Sequence, residues 1–328
     1  MKTLNAVVIG CGVVGLRRIK HFGKKFSLVA CADKNIHKIT KIFGNKKIFK
    51  TSNWRDLLKL DNIDAVFIAT FHSIQAEIIK EFIKKDTHIF CEKPGGVSLK
   101  QTKQLIKLLK NKKKLSIKIG FNHRFHPAFI LAKKIISKNQ IGNLLYVRAI
   151  YGHGGRKNYA KEWRFNKKFS GGGEMIDKGS HLIDLSRMFL GNLKTHSSYL
   201  NNYYWQSYLE DNCFLILKNK ENKIAFLHAS STEWKNKFIF EIFGKKGKIE
   251  INGLGKSYGI ETLTLYQMLK SMGIPKKKEY KFTQKSVDNS WIIEIEDFYK
   301  SILNLKKCYP NLNDVYDNLK IISEVYQK

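Results

Sequence analysis

Residues 4–15 read LNAVVIGCGVVG, a strand-length apolar run that ends directly in glycines spaced G-x-G-x-x-G. Few local patterns constrain a fold as tightly. The run is apolar on both parities, as a strand buried on two faces should be. The glycines allow a tight turn, close approach of backbone to a pyrophosphate, and a helix packed hard on the strand. That helix opens near residue 13, so its free N–H groups and positive dipole end are placed to hold phosphates. Gly10, Gly12, Val13, Val14 and Gly15 are therefore the expected phosphate-binding turn.

The next hundred residues repeat the theme. FSLVACAD (26–33), IDAVFIAT (63–70), THIFCE (87–92) and LSIKIGF (115–121) are further strand-length runs. Helical stretches are predicted at 13–24, 35–43, 52–59, 73–85 and 98–113, with Ser98 and Asp33 or Asn35 as caps. Such alternation implies right-handed crossovers and a doubly wound parallel sheet. The second strand ends at Asp33, about 20 residues beyond the turn, where a carboxylate would accept the adenosine ribose hydroxyls. It would also repel a 2′-phosphate, so NAD is the expected dinucleotide; Lys34 and His37 nearby keep NADP as the alternative.

After about residue 125 the rhythm changes. A helix (126–138), a strand (144–151) and a glycine-rich segment lead to a helix carrying His181. Runs such as NCFLILK, KIAFLHASS, KFIFEIFG and GKIEING follow, joined by turn signals, and two helices (289–304 and 312–327) close the chain. The expectation is a dinucleotide domain over 1–122 and a second α+β domain over 123–328 with an open, mostly antiparallel sheet.

Composition narrows the function classes. Sixty basic against 27 acidic residues give a formal charge of +33, but only 8 of the basic residues are Arg, and the lysines are spread along the chain. A nucleic-acid reader usually concentrates its charge in an Arg-rich stripe, so solvated helix faces are the plainer reading and no nucleic-acid partner is expected. No apolar run reaches the ~20 residues of a membrane span. The N-terminal run, broken by glycines and followed by RRIK, reads as a strand and turn rather than a leader. The five cysteines form no C-x-x-C pair, which suits buried thiols in the cytoplasm. No His/Cys/Asp/Glu cluster has metal-ligand spacing.

Two stretches carry chemistry. Glu92, Lys93 and Pro94 end a strand at the carboxyl edge of the parallel sheet, where ligands bind. Asp177 and His181 lie four residues apart behind the triplet Gly171–Gly173, whose missing side chains would keep a site uncrowded. Gly179 between them would allow the helix to kink. Taken alone, the pair reads as a surface carboxylate and a buried helical histidine.

The motifs together resemble the glucose–fructose oxidoreductase/inositol dehydrogenase (Gfo/Idh/MocA) family over essentially the whole chain. They are the glycine turn, strand-ending Asp33, EKP at 92–94, GFNHRFHPAF at 120–129, WR at 163–164 and SGGGEMIDKGSHLID at 170–184. The resemblance implies a Rossmann domain and NAD(P)-dependent hydride transfer with a secondary hydroxyl or ketone of a sugar, polyol or nucleotide sugar. It implies a homodimer or homotetramer. It makes Lys93 the active-site lysine, Asp177 the aspartate and His181 the general acid/base. Thr70, His72, Glu92, Asn122, Trp163 and Arg164 fall where the family contacts the nicotinamide half. Phe71 stands where the family usually carries proline, and Gln75 where a histidine is common.

Elementary chemistry agrees. Hydride transfer needs a base for the alcohol proton, and histidine is poised near neutral pH. Asp177 would orient the imidazole and Lys93 would hydrogen-bond the substrate oxygen. The basic, aromatic stretch 151–163 offers His153, Arg156, Lys157 and Tyr159 as a clamp for an anionic substrate, or a flexible loop. His123, Arg124 and His126 open the second domain, with His126 positioning the turn before Pro127; Asp184 is a support for His181 or a structural residue. Competing readings are an NADPH-linked carbonyl reductase and a noncatalytic NAD-binding module that engages polyanions.

Overall fold

The computed structural model describes residues 2–269, 271–283 and 288–327. They form two compact units, one running to Phe121 and including Trp291–Leu319, the other comprising Asn122–Ser290 and the residues from Lys320 on.

The first unit alternates strand and helix: β1 (Leu4–Ile9), α1 (Val13–Lys20), β2 (Phe26–Ala32), α2 (Ile36–Phe43), β3 (Phe49–Thr51), β4 (Ala65–Ile68), α3 (His72–Lys84), β5 (His88–Glu92), α4 (Leu99–Leu109) and β6 (Ile117–Gly120). The strands pair in parallel in the order 3-2-1-4-5-6. The strand order switches direction between β1 and β4, and the carboxyl ends there form the ligand crevice of such sheets. Two expectations needed correction. The helix predicted over 52–59 is a 3-10 segment, Trp54–Lys59, held by the Asn53 side chain, which accepts the Arg55 N–H. The three-residue β3 before it is too short to leave a periodic signal.

The second unit contains α5 (Pro127–Ser137), β7 (Leu144–Gly152), α6 (Lys167–Ser170), α7 (Ser180–Leu190), β8 (Lys194–Asn201), β9 (Asn212–Lys218), β10 (Ile224–Ser230), β11 (Lys237–Gly244), β12 (Gly247–Asn252), β13 (Glu261–Gln267) and β14 (Lys276–Phe282). The sheet order is β14-β13-β12-β11-β7-β10-β9-β8; β7 and β10 run parallel and the other neighbours antiparallel. One face is apolar and covered by α5 and α7, with Phe129 5.2 Å and Phe189 6.0 Å from the Phe240 ring.

Two helices follow, α8 (Ser290–Leu303) and α9 (Leu312–Tyr326). A single cut at 122/123 does not describe the chain, because α8 returns to the first unit. Its stripe Ile295, Phe298 and Ile302 joins Leu4, Phe26, Phe67 and Phe90 in one core. The Phe298 ring lies 5.5–6.0 Å from those three phenylalanine rings. The division between units falls within α9.

Candidate active site

In the first unit the glycine turn is built as its spacing predicts. Gly10 sits at φ +88°, a conformation that L side chains rarely adopt, and a Cβ there would strike the Ala69 carbonyl. A Cβ on Gly15 would strike the Gly10 carbonyl, whereas one on Gly12 would meet nothing within 4 Å. The backbone is thus tight on the protein side and open at Gly12. No side chain caps the start of α1 and no acidic residue lies in its first turn, so its N–H groups and dipole fit a dinucleotide phosphate. Asp33 is fastened to this turn: its carboxylate accepts the Cys11 N–H (2.7 Å) and the Asn35 N–H (3.0 Å).

The loops after β4 and β5 are braced by Gln75, which departs from the family's histidine. Gln75 is fully buried; its Oε1 accepts the Gly95 N–H (3.0 Å) and its Nε2 donates to the Thr70 carbonyl (3.4 Å). It thereby ties the Thr70–His72 loop to the EKPGG loop that carries Lys93. Its signal was a polar residue on the stripe of α3 that also buries His72, Ile79 and Phe82. Glu92, expected among the nicotinamide contacts, gives one oxygen to Arg18 (2.6 Å). Arg18 also ion-pairs with Glu294 (2.7 Å) and lies over the Phe90 and Trp291 rings at 4.3 and 4.1 Å. Burial pushes the Glu294 carboxyl up to about 7, against the pull of the Arg18 and Lys118 cations.

In the second unit the glycine triplet serves the protein itself. Gly171 ends α6 at φ +84°. Cβ atoms on Gly172 and Gly173 would strike the Tyr326 hydroxyl and the Glu210 carbonyl. The Glu210 carboxylate accepts the N–H groups of Gly173 (3.0 Å) and Met175 (3.1 Å) and the Tyr326 hydroxyl (2.7 Å). A carboxylate here caps the start of a helix. The expectation that these glycines keep room for substrate is corrected: Glu210 and Tyr326 fill that space. Nor does Gly179 kink the chain. It is helical (φ −57°, ψ −37°) and ends a π-helical turn, Met175–Gly179, that runs on into α7. Such wide turns recur at functional sites.

Around this turn a continuous polar network forms. His153 Nδ1 accepts the Gly155 N–H (2.7 Å), so the ring proton sits on Nε2, which faces the Tyr159 hydroxyl (3.1 Å). Tyr159 donates to Glu174 (3.0 Å), and Lys178 Nζ bridges Glu174 (2.8 Å) and Asp177 (3.1 Å). Arg164 Nε stands 3.7 Å from Asp177. Burial pushes His153 down to about 3, with Lys178 adding to the effect, so its ring is neutral at working pH. Burial would lower Lys178 too, but Glu174 and Asp177 overcome it and hold the ammonium charged, well above its usual value. Arg156 pairs with Glu162 (2.6 Å), as does Arg164 (3.3 Å). Arg156, the arginine of the expected anion clamp, thus faces a carboxylate.

His181, only 5% exposed, stands in the first turn of α7 and stacks on His123 (ring centroids 3.8 Å). His123 Nδ1 meets the Asn122 side-chain Oδ1 (3.1 Å), and the Asn122 Nδ2 donates to the Ser290 hydroxyl (3.1 Å). Asp184, one turn beyond His181, is held by Arg124 through two bonds of 2.7 and 2.6 Å. That pair fixes α7 against the turn carrying His123. His126 meets Glu261 (2.7 Å), whose other oxygen accepts the Ala128 N–H at the start of α5 (2.7 Å), so it does position that turn. Glu174 and Lys178 of the polar network are not among the residues expected from sequence. Their acid–x–x–x–base spacing was visible but indistinct among so many lysines.

A 3-2-1-4-5-6 parallel sheet with an open glycine turn, joined to a unit carrying a histidine-bearing helix, defines a two-unit dinucleotide-binding protein. The chain belongs to the GFO/IDH/MocA family: residues 4–121 match its "Oxidoreductase family, NAD-binding Rossmann fold" domain and residues 129–250 its C-terminal domain. It is 33% identical over 153 residues to levoglucosan dehydrogenase of Pseudarthrobacter phenanthrenivorans, a match covering 46% of this chain and 39% of that one. It is 27% identical over 261 residues to the scyllo-inositol 2-dehydrogenase (NAD(+)) of Bacillus subtilis, covering 75% and 74%. The chain spans about half the length of several other curated relatives it matches. A solved levoglucosan dehydrogenase in complex with NADH superposes with a TM-score of 0.86 at 22% identity, over 99% of this chain and 98% of that one. At that identity the likeness establishes the fold.

Proposed function

We propose that this protein is an NAD-dependent dehydrogenase of a neutral sugar or polyol, working on a secondary hydroxyl or, in reverse, on its ketone. The observation that carries the reading is His181, a buried imidazole at the start of α7, on the same helical run as a network whose paired charges cancel. A network so compensated favours hydroxyl groups over phosphate or carboxylate, because Arg156, Arg164 and Lys178 each already face a carboxylate. The names of the relatives, levoglucosan and scyllo-inositol dehydrogenases, point the same way.

Gly10, Gly12, Gly15 and Asp33 would hold the adenosine and pyrophosphate portions of NAD; Thr70, His72, Asn122, Trp163 and Arg164 are assigned to the nicotinamide half. Bound NAD supplies the hydride acceptor. In the chain's own chemistry, the His181 imidazole accepts the hydroxyl proton as the C–H bond breaks, and returns it when the ketone is reduced. Lys93 donates a hydrogen bond to the same oxygen and stabilises developing alkoxide charge. Asp177, with Arg164 and Lys178, fixes the polar wall around the substrate, and Tyr159 extends it; Arg156 lies at its rim. A homodimer or homotetramer in the cytoplasm belongs to the same reading.

The test is a panel of neutral sugars, polyols, uronates and sugar phosphates with NAD and with NADP, read by absorbance of the reduced cofactor. A neutral substrate with NAD should give the highest kcat/KM. On that substrate Lys93→Met should lower kcat by about 10²–10⁴-fold. A preference for sugar phosphates or uronates, or full turnover by the variant, would refute the assignment.

A further inference from the structure

A row of aromatic rings leads outward from the polar network. Tyr159 packs edge-on against Trp205 (5.4 Å between centroids), Trp205 against Tyr204 (5.0 Å), and Tyr204 against Trp234 (4.7 Å). Exposure rises along it, from 2% at Tyr159 to 54% at Tyr204 and 63% at Trp234. Contiguous exposed rings next to a site mark a binding surface.

These rings are held firmly. The Asp211 carboxylate, itself fully buried, accepts the successive N–H groups of Tyr203 (2.9 Å), Tyr204 (2.8 Å) and Trp205 (3.1 Å). The Trp205 indole donates to the Ser231 carbonyl (2.9 Å). Trp234 sits at φ +55°, in the left-handed region that is costly for a bulky residue. Gly154 lets it approach, since a Cβ there would lie 2.8 Å from the Trp234 backbone. Strain stored at an exposed indole beside a site is a mark of function. The neighbouring Glu233 faces the Lys237 ammonium (3.7 Å), so its charge is matched and the surroundings suit a neutral ligand.

We propose that Tyr204 and Trp234 form a platform for a second sugar ring, glycosidically linked to the ring that is oxidised. The preferred substrate is then a disaccharide or glycoside rather than a free monosaccharide. This rests on the sugar-dehydrogenase reading above. Aromatic faces with a polar edge suit the apolar C–H face and rim hydroxyls of a pyranose. The row runs back through Trp205 to Tyr159, whose hydroxyl belongs to the polar network.

The experiment compares hexoses with disaccharides carrying the same non-reducing ring, in the wild type and in Tyr204→Ala/Trp234→Ala. Turnover with NAD and saturation-transfer NMR of sugar binding are both recorded. The wild type should favour the disaccharides by about tenfold in kcat/KM, mostly through KM. The double variant should lose that preference and the disaccharide NMR signal, while hexose turnover and NAD affinity stay the same. Equal kcat/KM for both sugar classes would overturn the platform. So would equal losses on both in the variant, tighter binding of a nucleotide sugar, or a changed oligomeric state, which would make the rings a contact between copies. Disaccharide binding at the rings without turnover would keep the platform and refute the dehydrogenase.

Discussion

Each unit of this protein buries one cation between two carboxylates, and the two arrangements differ in outcome. In the first, Arg18 is held between Glu92 and Glu294 with side-chain exposures of 1%, 12% and 0%. Desolvation wins at Glu294, which keeps a proton up to about pH 7. In the second, Lys178 lies between Glu174 and Asp177, but Asp177 is 21% exposed and has Arg164 nearby as a second cation. One cluster is a sealed brace joining the dinucleotide helix, the EKP strand end and α8. The other balances its charge and opens on one side. Burial of charge by itself therefore does not mark a site.

The strongest way to break this comparison is to remove the central cation of the second cluster. Lys178→Met leaves two carboxylates facing each other, and loss of a buried partner typically costs 3–5 kcal/mol. Denaturant unfolding near neutral pH should register that loss, and turnover should fall with it. A neutral result would mean that Lys178 is solvated and the network is not a unit.

The first cluster predicts a pH effect. Glu294 has a raised pKa in the folded state, so the stability it contributes is complete below about pH 4.5 and is lost as pH rises through about 7. The shift corresponds to about 3 kcal/mol. Unfolding free energies of wild type and Glu294→Gln should therefore diverge between pH 5 and 8, the wild type losing stability relative to the variant. Parallel curves would place the proton elsewhere.

Smaller effects separate the two glycine runs. Gly173→Ala drives a methyl into Glu210 and should cost about 1–3 kcal/mol, as overpacking does, with NAD affinity unchanged. Gly12→Ala meets open space within the protein. It should leave the melting temperature unchanged and weaken NAD binding by about tenfold, near 1.4 kcal/mol. The reverse pattern would exchange the roles assigned to the two runs.

The glycines also show what could be read from sequence. G-x-G-x-x-G after an apolar strand specified the turn, the sheet and the crossover helices, because each needs the others. GGGEMIDKGSH gave only the fact that something must come close; that the intruders are Glu210 and Tyr326, far along the chain, is a tertiary fact. The same limit applied to α8, whose apolar stripe was legible but whose sheet was not. It applied to Gln75, whose buried bonds join two loops that sequence separation keeps apart. Asp177 and His181 could be singled out only through the EKP and glycine motifs read with them.

The central claim is that His181 moves the substrate proton. It is tested most directly by Histidine-to-alanine substitution at that position, His181→Ala, with NAD affinity by calorimetry and turnover measured on the same preparation. The account predicts unchanged NAD affinity and a kcat lower by about 10²–10⁴-fold, with partial rescue by added imidazole. Full turnover by His181→Ala would contradict it.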